Sequence, residues 1–270
     1  MNWVCAGDTA QMISPGCSFT FDGLKQVMRE VCAGKSIDHL LKGKRCANLL
    51  VNYRTTKDIL DVGNSVLQLA KSNFPNAIAH ARQERAVKDL GLKVLLVYWN
   101  EAIKTNTSFG TEQVIITSSH DEKAIELEMK EWISSRGFVL AVLDSKGLEF
   151  QDVVIAFDFD RKVWDIESRR AQSLQMLREL YVAITRAKRR VVILVKKNND
   201  LMTTFFEDSL NCDLNYVEAS IVLSEFNVET SAEEWFEKGI SLFNDEKYKP
   251  AGKFALVYRE NPFPPCLGHL

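Results

Sequence analysis

Between the apolar runs FVLAVL (Phe138 to Leu143) and VVIAF (Val153 to Phe157) the chain places Asp144, Ser145, Lys146, Gly147 and Glu149. A sheet core needs none of these residue types. Gly147 lets the backbone turn close to a ligand where a side chain would obstruct it. Glu149 is an acceptor fit for a ribose hydroxyl, and Lys146 can hold a phosphate or a carboxylate. Two further clusters have the same character. Gln11, in GDTAQMI, offers an amide that can accept from a water and donate to a phosphate oxygen. Tyr53-Arg54, in NYRTTKD, pairs an aromatic face for a base with a guanidinium that reaches phosphate oxygens in a bidentate fork. Each cluster also has a plain structural alternative: a loop-capping Gln, a strand-end Tyr beside a solvated Arg, a charged bend closed by salt bridges.

The elements that must position these residues can be read from apolar patterning. WVCA (Trp3 to Ala6), NLLV (Asn48 to Val51), KVLLVYW (Lys93 to Trp99), QVIIT (Gln113 to Thr117) and RVVILV (Arg190 to Val195) read as strands, as do the two runs beside the charged cluster. Helices are expected from Phe21 to Val31, over a segment carrying Ile59, Val62, Val66 and Leu69, and from Asp121 to Arg136. Another is expected over a stripe of Leu174, Leu177, Tyr181 and Ile184. Strands that are near-continuous apolar runs, alternating with helices, predict an α/β fold with a parallel sheet covered on both faces. Ligands of such sheets bind beyond the carboxyl ends of the strands, and the three clusters are expected on that rim.

The quoted segments also carry a resemblance. GDTAQMI (Gly7 to Ile13), LLVNYRTTKDIL (Leu49 to Leu60), LDSKGLEF (Leu143 to Phe150) and LYVAITRAK (Leu180 to Lys188) resemble, in order, motifs III, IV, V and VI of UvrD/Rep-like superfamily 1 helicases. The continuation GDTAQMISPGCSFTF and the repeat-like text after the last motif look most similar to tetratricopeptide and ankyrin repeat-containing proteins with a UvrD-like region. The resemblance implies RecA-like domains, with ATP and Mg²⁺ as the cofactors of an ATP-dependent helicase or translocase. Gln11, Arg54 and Arg186 would be the catalytic residues, the two arginines neutralising charge that develops in phosphoryl transfer. Gln11, Tyr53, Arg54, Gly147, Glu149 and Arg186 would bind ATP, while Ser145 and Lys146 would face single-stranded nucleic acid. Lys188, Arg189 and Arg190 read as a solvated helix end.

Departures from the pattern accompany the matches. Leu143 stands where the family commonly has a His that contacts single-stranded DNA, and Asp144 follows it, an acid that would repel a phosphate backbone. Upstream of the motif VI tyrosine, MLRELY keeps only Arg178 of the usual arginine pair. No GxxxxGKS or GxxxxGKT phosphate loop occurs, and no DExx strand precedes Gly7. The chain is therefore expected to be the C-terminal part of a helicase core and inactive alone. Residues 1–47 would be the tail of a first RecA-like domain, 48–220 a second RecA-like domain, and 221–270 a partial tetratricopeptide-like hairpin. Ser231 and Glu234 have the spacing of a capping box at its start. The rival expectation is a degenerate helicase domain that serves as a non-enzymatic scaffold, with protein partners meeting the tail.

Composition bounds these readings without deciding between them. The 270 residues are 46% hydrophobic and 26% charged, with a net charge of -2. That balance neither requires nor excludes nucleic acid, since binding needs a local basic face. The 6 cysteines lack a CxxC pair, no apolar run approaches a membrane span, and no signal sequence is evident. Nucleus or cytoplasm, with no membrane partner and no metal-ligand motif, is the expectation.

Overall fold

The computed structural model describes residues 7–14, 20–32, 48–78, 81–91, 94–98, 107–118, 138–157, 170–195, 215–216, 218–228 and 230–260. The strand expected at Trp3–Ala6 and the helix expected at Asp121–Arg136 lie outside them. Eight strands are described: β1 Val51–Thr56, β2 Arg85–Lys88, β3 Leu95–Tyr98, β4 Gln113–Thr117, β5 Val139–Ala141, β6 Phe150–Ala156, β7 Ala187–Val195 and β8 Asn215–Tyr216. The helices are α1 Phe21–Val31, α2 Lys57–Asn73, α3 Arg170–Ile184, α4 Ala219–Ser224, α5 Ala232–Asn244 and α6 Tyr248–Glu260, with a short 3₁₀ turn at Thr9–Gln11.

Six strands form one sheet in the order β5-β4-β6-β7-β3-β8, and every described pairing in it is parallel. The expected α/β architecture with a parallel sheet is present. Successive residues of the central strands face opposite sides, and both sides are apolar. Val153, Ile155, Val191 and Ile193 join a cluster with Ile59, Val62 and Val66 of α2 and Leu177, Leu180 and Ile184 of α3. Val154, Ala156, Val192 and Leu194 face the other way, onto Ala219, Val222 and Leu223 of α4. This double burial is why the strands read as unbroken hydrophobic runs.

Two placements differ from expectation. The strand near NLLV is shifted, so Tyr53 and Arg54 lie on β1 rather than after it, and among the described residues β1 pairs with β2 in a separate two-stranded parallel sheet. Lys188, Arg189 and Arg190 belong to β7, not to a helix end. The β-branched and aliphatic run that follows them extends the strand back through the charged residues. Arg190 is held by a bidentate pair with Asp152 of the adjacent strand (Nε–Oδ1 2.8 Å, Nη2–Oδ2 2.9 Å) and lies 4.5 Å over the Phe226 ring. Hydrogen bonding to Asp152 raises its pKa above the usual arginine value, against the pull of burial.

The C-terminal helices pack into the main core. Trp235 and Leu242 of α5 and Ala251 and Phe254 of α6 are buried in the same cluster as α2 and α3. Phe254 lies 3.8 Å from Phe138 between ring centroids and 5.2 Å from Trp235. The expected capping box forms: Glu234 N donates to Ser231 Oγ (3.2 Å), and Ser231 N donates to Glu234 Oε2 (2.8 Å).

Candidate functional site

Glu149 immediately precedes β6, and Arg186 immediately precedes β7. In a parallel sheet every connection begins at a carboxyl end and finishes at an amino end. The turns of residues 142–147 leave β5 at its carboxyl end, and Glu149 arrives at the amino end of β6. The expected carboxyl rim is thus corrected: Glu149 and Arg186 gather at the amino ends of the two central strands.

Arg54 reaches this point from β1. Its Nη1 donates to Glu149 Oε1 (2.9 Å), and its Nη2 donates to the Thr185 carbonyl (2.9 Å). The backbone of β1 is held for this by Asn52, whose Oδ1 accepts from the N–H groups of Arg54 (2.9 Å) and Thr55 (3.0 Å). Asn52 is in turn fixed by Glu84, to which its Nδ2 donates at 2.7 Å. Thr55 Oγ1 then donates to the Ala187 carbonyl (3.2 Å), tying β1 to the start of β7.

Arg186 is buried, with 3% of its surface exposed. Its Nε donates to the Val182 carbonyl (3.1 Å), its Nη1 to the Leu148 carbonyl (3.2 Å) and its Nη2 to Gln11 Oε1 (3.3 Å). Burial and the like charge of Arg54 push its pKa down to about 10, and Glu149 only partly offsets this. Gln11 ends a 3₁₀ turn capped by Asp8, whose Oδ1 accepts from Ala10 N (2.9 Å). Ala10 and Ile13 anchor that turn in the core, and Gln175 Nε2 of α3 donates to the Ile13 carbonyl (2.8 Å).

Glu149 carries a second cation: Lys188 Nζ lies 3.1 Å from its Oε2. Burial would raise the Glu149 pKa, but hydrogen bonds from Arg54 and Lys188 outweigh it and hold the carboxyl below its ordinary value. Two cationic side chains therefore hold one carboxylate, one on each oxygen. Tyr53, on the same strand as Arg54, leaves 70% of its surface exposed. Tyr181 of α3 is buried, and burial followed by the nearby Asp8 raises its phenol pKa.

The structure brings Gln11, Arg54, Glu149 and Arg186 together; Tyr53 is tied to them only as the residue that precedes Arg54 on β1. The remaining sequence-selected residues lie on the 142–149 turn. Ser145 is buried and donates to the Val142 carbonyl (2.7 Å), while Lys146 is exposed. Gly147 has φ +81°, a left-handed backbone that favours glycine. The close approach there is made by the chain itself, since a Cβ on Gly147 would sit 2.9 Å from Lys247 Nζ. Asp144 Oδ2 lies 2.6 Å from Lys249 Nζ, a charge contact without hydrogen-bond alignment. Arg178 donates instead to the Ala77 carbonyl (3.1 Å).

Sequence reasoning missed Lys188 and Asn52. No local spacing marks Lys188: Arg186 precedes β7, and the β6–β7 register shifts between Ala187 and Arg190, so simple alternation does not carry across it. Among the described residues no group of three or more His, Cys, Asp or Glu side chains could hold a metal ion. Nor is any helix among them long and apolar enough to cross a membrane.

No family model matches the chain. The human TPR and ankyrin repeat-containing protein 1 is 28% identical over 169 residues, which cover 55% of this chain and 5% of that protein. The chain thus corresponds to a small fraction of the relative's length.

Proposed function

We propose that this chain forms one wall of an ATP site in a UvrD-like helicase or translocase core, with RecA-like topology in its six-stranded sheet. The observation that carries the reading is the meeting of four motif residues distant in sequence. Arg54 and Arg186 both donate to Thr185, the first to its carbonyl (2.9 Å) and the second, more weakly, to its hydroxyl (3.5 Å). Gln11 and Glu149 complete the group.

The residues fit a polyphosphate in charge: Arg54, Arg186 and Lys188 against Glu149 and the nearby Asp8 leave an excess of one positive charge. Burial makes the Arg186 charge costly, and an anion would relieve that cost. Tyr53, exposed and next to Arg54 on β1, would offer an aromatic face for a base. Arg54 would exchange its bond to Glu149 for a phosphate oxygen, freeing Glu149 Oε1 for a ribose hydroxyl while Lys188 still holds Oε2. Mg²⁺ bound with ATP would supply further charge neutralisation. The reading is tested by thermal shift with ATP and with AMP. ATP should raise Tm more than AMP in the unmodified chain, and the difference should vanish in Arg54→Ala. Equal shifts from both nucleotides would count against it.

The scaffold reading rests on a different observation. Arg186 already donates to two carbonyls, to Gln11 and weakly to the Thr185 hydroxyl, so most of its five N–H groups have partners without a ligand. The name of the human relative, a repeat-containing protein, adds to it. If ATP and AMP leave Tm unchanged, this is the reading that stands.

A further inference from the structure

Helix α5 carries two apolar ridges where a surface helix needs one. Trp235 and Leu242 form the first, buried against the core. Phe236, Ile240 and Phe243, spaced four and three apart, form the second on another side of the helix. Ile240 is 46% exposed and Phe243 57%, and Tyr248, 60% exposed, extends the ridge by its edge-on contact with Phe243 (5.3 Å). Contiguous exposed apolar surface of this kind marks an interaction site.

The charges beside the ridge identify the occupant. Glu233 and Glu237 are exposed, one turn apart, along one edge of the ridge, and Asp245 and Glu246 close its end. The nearby cations are turned elsewhere: Lys238 pairs with Glu112, Lys247 lies over Gly147, and Lys249 contacts Asp144. An apolar ridge with an acidic border complements an amphipathic helix whose apolar stripe is flanked by lysines or arginines. A second copy of this chain would set acid against acid. We propose that the outer face of α5 docks a basic amphipathic helix of another protein. The proposal deepens the scaffold reading but makes no use of the Arg54–Glu149 cluster.

The test uses the full chain and a labelled synthetic peptide of about 18 residues, long enough to form a helix. Its leucines have i, i+3, i+4, i+7 spacing and are flanked by lysines, and a companion carries glutamates in their place. Anisotropy should show the basic peptide binding at least about tenfold tighter than the acidic one, the preference shrinking with salt. Ile240→Asp and Phe243→Ser, both at exposed positions, should each weaken binding by about tenfold while the chain still melts in one cooperative transition, with Tm lowered at most by the loss of the Phe243–Tyr248 contact. The double reversal Glu233→Lys with Glu237→Lys should turn the preference toward the acidic peptide. Arg54→Ala should bind the basic peptide as the unmodified chain does, so that failure here is separable from failure of the nucleotide reading. No binding of the basic peptide, equal binding of both peptides, or indifference to Ile240→Asp and Phe243→Ser would overturn the proposal. So would sedimentation showing a dimer that Phe243→Ser dissolves.

Discussion

At Glu149 two effects oppose each other. Burial disfavours the carboxylate, while hydrogen bonds from Arg54 and Lys188 favour it and win. The folded pKa is therefore below the ordinary value of 4.5, so the ionised group contributes stability above that value and loses it as pH falls through the lowered one. The Tm gap between the unmodified chain and Glu149→Gln should be widest near neutral pH and close in acid. Thermal melts across pH check this, and a pH-independent gap would mean the ion pairs contribute nothing. Both Glu149 and its cations are partly exposed, so the gap should be modest. Arg54 and Glu149 were legible from the sequence through the resemblance of their segments to helicase motifs, since each taken singly has an ordinary structural alternative. Lys188 was not, because a run of Lys, Arg and Arg next to a helix looks the same whether it is solvated or enters a strand. Only the pairing of Arg190 with Asp152 across β6 and β7 resolves it.

At the scale of elements, the 142–149 turn is held between the sheet and the C-terminal hairpin. Phe254, fully buried, packs on Phe138, which in turn contacts Phe150 at 6.2 Å, one residue after Glu149. Phe254→Ala should cost about 3–5 kcal/mol in urea unfolding, through lost transfer energy and the cavity left behind. Gly147→Ala should cost about 1–2 kcal/mol from its left-handed backbone, since the Lys247 tip that a Cβ would meet is flexible and can move. If Gly147→Ala is neutral in the same assay, the turn relaxes and its geometry is not fixed by φ. The hairpin itself was readable from the Ser231–Glu234 spacing. Its burial was not, because Trp235 and Phe254 would serve equally as the interior of a repeat array. What decides the matter is Phe138, more than ninety positions earlier in the chain, and no local pattern announces that partner.

For the molecule as a whole, apolar runs fixed the class of fold because a sheet covered on both faces tolerates little else in its central strands. Which end of the sheet collects the chemistry was not legible. That depends on how far each connection has travelled before the functional residue occurs, and the turn after β5 delivers Glu149 to the far end. Nucleic-acid binding should be weak and mostly electrostatic, since Leu143 and Asp144 stand where polar or basic contacts would lie and a net charge of -2 gives no long-range attraction. Its log–log salt slope should be about −0.7 per neutralised phosphate on single strands. Lys146, exposed on the turn, is the residue to reverse: Lys146→Glu should weaken oligonucleotide anisotropy signals, whereas Asp144 is occupied by Lys249. The central claim, that Arg54 and Arg186 form one anion-binding wall, is met most directly by titrating a fluorescent ATP analogue into the unmodified chain, Arg54→Ala, Arg186→Met and the double variant. The account predicts measurable binding by the unmodified chain, a loss of about tenfold or more in each single variant, and little further loss in the double. Binding that is absent from the unmodified chain, or unchanged in both single variants, would contradict it.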